Sequence, residues 1–211
     1  DAAAGMQAAA KEPRNLLLAA LCHDFGKPET TCADEQGHIR ALWHETAGVP
    51  LAEAFIKRLT SETEVRRYVA NMVALHMRPN VIAQGHPKLK TTNRLFDDSL
   101  CPEDLLLLCK ADRMGQRKEA GYGPVETLLR SRLEVYRETM AKPGVTGKDL
   151  VELGFRPGPA FSEALGFAHK LQLAGVEKEE ALCQTKGFLK NHPLLGEGGP
   201  GAARDGCGGD T

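Results

Sequence analysis

The sequence predicts an all-α protein, and three observations lead to that prediction. Nearly every structured stretch of the 211 residues repeats its apolar side chains with the spacing of a helix. Runs that alternate apolar and polar residues, rich in β-branched side chains and closed by turns, are missing, so no strand is expected. Proline and glycine interrupt the apolar runs, most clearly at Lys142-Pro143-Gly144. We therefore expect short helices joined by turns, with no internal repeat.

The first two predicted helices follow from apolar spacing and from the breaks that close it. Residues 14–22 carry a dense apolar face, and Gly26 ends the run. Residues 29–39 lack helical periodicity and are expected to form a loop. The second helix covers residues 44–59. Pro50 is expected to split or restart it, because proline lacks the backbone N–H that a helix interior uses.

The third predicted helix covers residues 61–77. Ser61 and Glu64 have the spacing of a capping box, in which each side chain accepts a hydrogen bond from the other residue's backbone N–H. Pro79 is expected to stop this helix, and residues 80–90 are expected to form a loop.

Three more helices are predicted before the Lys142 boundary, over residues 91–98, 103–114 and 125–140. Pro102 precedes the second of these at the position of a first helical turn, where the missing N–H of proline costs nothing. The third is long, amphipathic and rich in arginine and glutamate.

A small C-terminal unit follows the Lys142 boundary. Thr146 and Asp149 have the spacing of a capping box at the start of a short helix, with aspartate in place of the usual glutamate. The helices predicted for this unit cover residues 147–153, 160–174 and 177–189.

The chain is thus expected to have three parts. Residues 1–141 form the main unit, residues 142–193 a helical extension, and residues 194–211 a tail. From Gly196 to Thr211 glycine dominates and large apolar residues are absent, so we expect the tail to be disordered. The first residue is Asp1 and not methionine, which indicates a trimmed chain or a fragment of a longer one.

Composition excludes several classes of function. The net charge is −1 at pH 7, so no global basic field favours nucleic acid. None of the six cysteines forms a Cys-x-x-Cys pair, which argues against a structural zinc knuckle. Without a signal peptide, these cysteines are expected to be reduced thiols in a cytoplasmic protein. The longest apolar run, residues 16–22, is too short to cross a membrane.

Five side chains at the ends of apolar helices form the candidate site: His23, Asp24, His44, His76 and Asp112. Imidazole nitrogen and carboxylate oxygen together suit divalent metals of intermediate hardness. An acid directly after an apolar helical run also needs a reason, because burying an unpaired carboxylate is costly. Asp24 and Asp112 belong to distant segments, so one ion would join two helices.

Each of these residues, taken alone, also has a structural explanation. His76 would pair with the negative end of a helix dipole, and Asp112 would pair with Lys110 or Arg113 at the surface. His44 would be an ordinary first residue of a helix, and His23 would belong to a solvated helix end. Taken together, the order His-Asp, His, His, Asp at these helix ends is improbable by chance.

These residues and their surroundings resemble the HD-domain superfamily of metal-dependent phosphohydrolases. Within it, the chain is most similar to the C-terminal HD region of bacterial tRNA nucleotidyltransferases, the CCA-adding enzymes. The resemblance covers roughly residues 14–190. It rests on Ala19-Leu-Cys-His-Asp-Phe-Gly-Lys-Pro28, His44-Glu45 with Gly48, His76-Met77, Ala111-Asp112, Gly144-Val-Thr-Gly-Lys-Asp-Leu150, Arg156-Pro-Gly-Pro159, Gln172-Leu-Ala-Gly175 and Glu179-Glu-Ala-Leu182. It implies that residues 1–141 form an HD-type helical bundle with phosphohydrolase chemistry.

Two departures from the family pattern are visible. The superfamily pattern begins with a histidine on a helix before the His-Asp pair, and here no histidine precedes His23. We expect that this ligand was lost by truncation. The nucleotidyltransferase head, with its Gly-Ser and Asp-x-Asp motifs, is also missing, so CCA addition is not attributed to the sequence as given.

The resemblance implies a role for each site residue. His23, Asp24 and Asp112 would bind a divalent metal, expected to be Mn²⁺, Ni²⁺ or Mg²⁺. His44 and His76 would hold a second metal or bind the substrate phosphate. The metal would lower the pKa of a water molecule for attack on phosphorus. Lys27 would neutralise charge on the phosphoryl oxygens, or would simply be a solvated cation at a helix end. The expected activity is that of a phosphomonoesterase or 2′,3′-cyclic phosphodiesterase on nucleotides or RNA ends.

A second hypothesis is a non-catalytic tRNA-binding or scaffolding module with a degenerate HD site. Five basic residues gather around one predicted loop: Arg78, His86, Lys88, Lys90 and Arg94. They would contact tRNA phosphates, or would form a solvated loop, which the sequence slightly favours. The absence of aromatic residues nearby argues against the binding of single-stranded bases. The sequence makes no prediction of the oligomeric state.

Overall fold

The computed structural model describes residues 9–116 and 122–191. The fold is all-α, as predicted, apart from one small hairpin. In chain order the elements are α1 (Pro13–Cys22), α2 (Lys27–Thr30), β1 (Thr31–Ala33), β2 (Ile39–Ala41), α3 (His44–Leu59), α4 (Thr63–Leu75), α5 (Arg78–Gln84), α6 (Leu89–Asp98), α7 (Pro102–Gly115), α8 (Tyr122–Ala141), α9 (Gly147–Glu152), α10 (Pro159–Leu173) and α11 (Lys178–Lys190).

The chain divides into two compact units, Asp1–Tyr136 and Arg137–Thr211, and the division falls within α8. The three-part division made from the sequence stays a prediction. Its tail, residues 194–211, lies outside the described residues, as do the first eight residues of the chain.

The hairpin β1–β2 corrects the predicted loop over residues 29–39 and the expectation of no strand. Its strands are antiparallel, with Thr31 opposite Ala41 and Ala33 opposite Ile39. The Asp34 carboxylate closes the turn by accepting hydrogen bonds from the backbone N–H of Gln36 at 3.0 Å and of His38 at 2.9 Å. Strands of three residues are too short for an alternating pattern to be visible in the sequence.

The expected break at Pro50 was wrong, because α3 runs through it without interruption. Pro50 and Thr46, whose carbonyl would have accepted the missing N–H, are both exposed. Water can therefore hydrate that carbonyl, which removes the main penalty of an interior proline.

Two further expectations between α3 and α6 were wrong. The capping box of Ser61 and Glu64 does not form, since α4 begins after Glu62 and has no side-chain cap. Residues 80–90 are only partly a loop, because α5 occupies the first half of that segment. Pro79 ends no helix there; it lies in the first turn of α5, where its missing N–H is not needed.

The core of the first unit is built largely from the helices whose ends carry the candidate site. Its largest fully buried side chains include Leu16 of α1, Ile56 of α3, Met72 of α4, Phe96 of α6 and Leu105 of α7. Burying each such side chain contributes about 1.5–3 kcal/mol, so these helices are firmly held against one another.

The second unit has its own small core, built on Leu150, Phe161 and Leu189. The capping box of Thr146 and Asp149 is confirmed: the Asp149 N–H donates to the Thr146 hydroxyl, and the Thr146 N–H donates to the Asp149 carboxylate at 2.6 Å. Among the described residues, no helix is both long and apolar enough to cross a membrane.

Candidate metal centre

Four helix ends of the first unit carry the five predicted site residues. His23 and Asp24 directly follow α1, His44 is the first residue of α3, and His76 directly follows α4. Asp112 lies in the last turn of α7. The fold brings all five side chains together, although they are separated by up to 89 positions along the chain.

One group of potential ligands consists of His23, Asp24 and Asp112. The Nε2 atom of His23 lies 3.3 Å from Oδ2 of Asp24 and 3.5 Å from Oδ1 of Asp112. One ligand atom from each residue lies within 4.8 Å of the others. This is the spacing that three donors around a single cation require.

A second group consists of Asp24, His44 and His76, and it shares Asp24 with the first. The Nε2 atom of His44 lies 3.5 Å from Oδ1 of Asp24 and 3.2 Å from Nε2 of His76. Asp24 thus presents Oδ2 to one group and Oδ1 to the other. His44 and His76 are both buried, while Asp24 is half-buried.

The three histidines are oriented in the same way. In each, Nδ1 lies at hydrogen-bond distance from the carbonyl oxygen three residues earlier, so Nδ1–H donates, and Nε2 has a lone pair whenever the ring is neutral. The distances are 2.7 Å from His23 to Ala20, 2.8 Å from His44 to Ala41 and 2.8 Å from His76 to Val73. Two such lone pairs meet between His44 and His76, and only a proton or a cation between them removes their repulsion.

A close backbone contact places the first helix end against the third helix. A Cβ atom on Gly26 would overlap the His44 carbonyl oxygen and would lie 2.6 Å from the Gly48 nitrogen. A Cβ atom on Gly48 would lie 3.2 Å from the Gly26 nitrogen. These two glycines let the backbone after Asp24 approach α3 closely, and so bring Asp24 within reach of the His44 ring.

The charges of the site are strongly coupled. Burial opposes protonation of His23, but its contacts with Asp112 and Asp24 raise its pKa to about 10. Burial opposes ionisation of Asp24, but His23 and Lys27 hold the pKa of this carboxyl below its usual range. Burial lowers the pKa of His76, and the charges of His23 and His44 add to that effect. The site therefore keeps its carboxylates ionised and His76 neutral, the states in which they bind metals, whereas the raised pKa of His23 means that this ring must release a proton when a cation binds.

Lys27 contacts the site through Asp24. Its Nζ atom lies 2.6 Å from Oδ2 of Asp24, and its side chain is 41% exposed. The ammonium group is therefore adjacent to the ligand atoms and also open to solvent, where an anionic substrate would approach.

Gln116 is a site residue that sequence reasoning missed. Its Nε2 atom donates to both carboxylate oxygens of Asp112, at 2.8 Å and 2.9 Å. These bonds, together with His23, hold the pKa of Asp112 below its usual range against the effect of burial. The only signal in the sequence was the helical i, i+4 spacing of the two residues.

Asp104 is the second residue that was missed. It is fully buried, and its carboxylate accepts hydrogen bonds from the N–H of Lys11 at 2.8 Å, the N–H of Glu12 at 3.0 Å and the hydroxyl of Tyr68 at 2.7 Å. It thereby joins the starts of α1 and α7 to α4. An acid directly before four leucines was the available signal that this carboxylate would be buried.

The site residues fit a divalent cation. Nε2 of His23 is buried and has no well-formed hydrogen bond among the described residues, although the Asp24 and Asp112 carboxylates lie 3.3 and 3.5 Å away. A buried ring nitrogen without a well-formed hydrogen bond, next to two carboxylates, is the arrangement that a cation would complete. The donor set of imidazole nitrogen and carboxylate oxygen suits Mn²⁺, Ni²⁺ and Mg²⁺.

The predicted RNA-contact residues are only partly brought together. Arg78 and Arg94 both pair with Asp98, at 3.0 Å and 3.9 Å, so one acid offsets much of their charge. Lys88 directly precedes α6 and Lys90 lies in its first turn, and no described contact joins either lysine to that pair.

An all-α fold with histidine and aspartate ligands gathered at helix ends defines a class of divalent-metal proteins. The family model described as the HD domain matches residues 2–115, more than half of the chain, and the chain belongs to this family. HD domains are in general metal-dependent phosphohydrolases that bind divalent metals.

The chain is similar to several tRNA enzymes over part of their length. It is 33% identical over 180 residues to a CC-adding tRNA nucleotidyltransferase of Thermus thermophilus. The aligned region covers 80% of this chain and 39% of the relative. It is 31% identical over 167 residues to a multifunctional CCA protein of Alkalilimnicola ehrlichii, covering 76% of this chain and 38% of the relative. A multifunctional CCA protein of Actinobacillus pleuropneumoniae is 35% identical over 112 residues, 51% of this chain and 26% of the relative. The chain thus spans about two fifths or less of these relatives, and no solved structure matches it.

Proposed function

We propose that this chain is a divalent-cation-dependent phosphohydrolase that acts on phosphomonoesters or 2′,3′-cyclic phosphodiesters of nucleotides or RNA ends. One observation carries the proposal: Asp24 lies between two groups of potential ligands and offers one carboxylate oxygen to each. Membership of the HD domain family supports the reaction class. The similarity to proteins named for work on tRNA supports nucleotides and RNA ends as the substrate class.

His23, Asp24 and Asp112 are the proposed ligands of the cation. A divalent cation held there would supply Lewis acidity at a phosphoryl oxygen and a nucleophile from water near neutral pH. Asp24 is the most exposed of the three, with 35% of its side chain accessible, so a substrate is proposed to approach the group from the side of Asp24. Gln116 holds both oxygens of Asp112 and so fixes the direction in which that carboxylate faces.

His44 and His76 are proposed to bind a second cation or the substrate phosphate. Their Nε2 atoms lie close together and face Asp24, which suits a cation when both rings are neutral. When one ring is protonated, the same pair would donate a hydrogen bond to a phosphate oxygen. The low pKa of His76 makes the neutral form of that ring, and therefore a ligand role, the natural one.

Lys27 is proposed to stabilise negative charge on the phosphoryl oxygens. Its Nζ atom is positioned by Asp24 and is partly exposed, so it can contact an anion without losing its partner. A positively charged group held ready at the place where charge develops lowers the barrier more than a mobile one does.

The proposal is tested by hydrolysis of an aryl phosphate and of 2′,3′-cyclic AMP with Mn²⁺, Ni²⁺ or Mg²⁺ and after chelation. We expect Asp24→Asn to lower kcat/KM about 100-fold or more, because loss of a ligand should cost at least as much as loss of a residue that supports one. Glu53→Gln, at an exposed position of α3, is the matched control and should behave as the wild type. A wild type no faster than Asp24→Asn with every metal would refute the proposal.

A tRNA-binding module without catalysis is the second candidate, favoured by the names of the relatives. Its strongest support in this chain is the position of Lys88 and Lys90 at the start of α6, away from the ion pairs of Asp98. Reversing both lysines to glutamate should abolish a salt-dependent shift of tRNA in a gel, while Lys148→Glu in α9 should leave it intact. The absence of any shift of the wild type at low salt would exclude this candidate.

A further inference from the structure

Trp43 has a backbone conformation that is unusual for a bulky residue. Its φ is 63° and its ψ is 19°, in the left-handed region that bulky residues rarely adopt. The start of α3 holds it there, because the Trp43 carbonyl accepts hydrogen bonds from the N–H groups of Thr46 and Ala47, both at 3.0 Å. A glycine would satisfy the same geometry without strain.

Burial does not compensate for this strain. Trp43 is 74% exposed, and the neighbouring Leu42 and Ile39 are 59% and 78% exposed. Isolated exposed apolar residues are ordinary, but three within five positions, including the single tryptophan of the chain, are not. Strained and exposed residues of this kind occur at sites that contact a ligand.

Trp43 directly precedes a residue of the candidate metal centre. The next residue is His44, whose Nε2 atom belongs to the group with Asp24 and His76. The Nδ1 atom of His44 bonds back to the carbonyl of Ala41, so the segment that carries Trp43 turns around the His44 ring. The indole is therefore attached one residue away from a proposed ligand of metal or phosphate.

We infer that Trp43 is the stacking platform for the base of a nucleotide whose phosphate lies at the candidate metal centre. This inference rests on the proposed function and narrows its substrate class to phosphate esters that carry a nucleobase. An exposed indole can stack on any base, since every base presents a π-face. A sugar separates phosphate and base in a nucleotide, a span comparable to the reach of an indole from the neighbouring Cα atom.

A second protein molecule fits this surface less well than a nucleotide does. A stable interface buries about 800 Å² on each partner, which is much more than three side chains from one segment of five residues can supply. A single base, in contrast, needs one aromatic face beside a phosphate site, which is what Trp43 and His44 provide.

The fluorescence of the wild-type protein tests the inference directly. Trp43 is the single tryptophan, so emission excited at the red edge of the absorption band reports on it alone. AMP and adenosine should quench this emission in a saturable way, and ribose 5-phosphate should not. No quenching by AMP, or equal quenching by ribose 5-phosphate, would overturn the inference. So would an emission that changes with protein concentration and ignores AMP, because it would assign the surface to contact between copies of the chain.

Kinetics provide the second test, through the ratio of kcat/KM for AMP to kcat/KM for ribose 5-phosphate. We expect Trp43→Ala to lower this ratio about 5- to 150-fold, the range that one base–aromatic stack supplies, and Trp43→Phe to restore most of it. Leu59→Ala, at an exposed apolar position at the end of α3, should leave the ratio unchanged. An unchanged ratio in Trp43→Ala would overturn the inference while leaving the hydrolase proposal standing. If the wild type hydrolyses neither compound, the quenching experiment alone decides the role of Trp43, and the assays with an aryl phosphate and 2′,3′-cyclic AMP decide the hydrolase proposal.

Discussion

In His23, His44 and His76 the two ring nitrogens make different contacts. In each residue Nδ1 bonds to a backbone carbonyl one turn earlier, which fixes the ring and its tautomer. Each Nε2 atom then faces a carboxylate or another histidine. The same local geometry at three helix ends gives three rings that need no reorientation to bind a cation, although His23 must first release the proton that its raised pKa places on Nε2.

Gln116 offers a test of how much the orientation of Asp112 matters. Gln116→Ala removes both hydrogen bonds to that carboxylate, so we expect Mn²⁺ affinity to fall about 10- to 100-fold, the usual effect of losing a residue that supports a ligand. Isothermal titration of the purified protein measures it. Gln184→Ala is the matched control, because Gln184 makes the same kind of i, i+4 bond to Glu180 in the second unit. Equal affinities in the two variants would contradict a positioning role.

Gly26 offers a test of the close approach between the first helix end and α3. Gly26→Ala places a methyl group on the His44 backbone, so the two segments must separate, and we expect a loss of stability of about 1–3 kcal/mol. Urea unfolding measures it. Gly166→Ala in α10 meets nothing within 4 Å and should be neutral or stabilising by up to about 1 kcal/mol. A Gly26→Ala protein as stable as the wild type would show that the contact is not constraining.

At the scale of the helix, buried Asp104 joins three elements whose opposite ends carry the site. It accepts backbone hydrogen bonds just before α1 begins, and a side-chain bond from Tyr68 of α4. Because it belongs to the first turn of α7, the same residue aligns α7 with α1. Asp112, His23 and His76 lie at the far ends of these helices, so their separation depends on this shared carboxylate.

The bond from Tyr68 can be tested without disturbing packing. Tyr68→Phe keeps the ring and removes only the hydroxyl, so we expect a loss of about 1.5–3 kcal/mol, the range for a hydrogen bond to a charged group. The control is Tyr136→Phe, which removes a longer bond of 3.3 Å to Asp97 and should cost less. Both values come from chemical denaturation. A cost for Tyr68→Phe no larger than that of the control would show that Asp104 is satisfied by the backbone alone.

The sequence predicted helix positions better than helix starts. Thr146 and Asp149 form their capping box, but Ser61 and Glu64 do not, although the spacing is the same. The difference is local, because the Thr60 hydroxyl accepts the N–H of Glu62 at 3.1 Å and α4 begins only after Glu62, one residue later than the box requires. A pattern of four residues contains no information about such a competing partner.

The candidate site could be predicted because its residues follow apolar runs, where a polar side chain needs an explanation. Its supporting residues could not. Asp104 contacts Lys11, 93 positions away, and only the fold brings them together. The sequence did not indicate a role for Trp43 either, since its left-handed backbone and its exposure are properties of the folded chain.

At the scale of the whole molecule, the candidate ligands are confined to the first unit, Asp1–Tyr136. The two potential groups join the ends of α1, α3, α4 and α7, which are distant in sequence. A cation bound there therefore stabilises long-range contacts of this unit specifically. The second unit has a separate core and contributes no residue to either group of potential ligands among the described residues.

This confinement predicts a localised effect of metal on hydrogen–deuterium exchange in the full chain. A cation present at 100 times its dissociation constant stabilises the folded form by about 2.7 kcal/mol, which slows exchange through unfolding roughly 100-fold. We expect Mn²⁺ to slow exchange in peptides from α1, α3, α4 and α7, and to leave those from α10 and α11 unchanged. Asp24→Asn should abolish the slowing, because Asp24 belongs to both groups, whereas Asp34→Asn in the hairpin turn should retain it. Equal slowing in α10 and α11 would mean that the two units unfold together, and slowing that persists in Asp24→Asn would place the cation elsewhere.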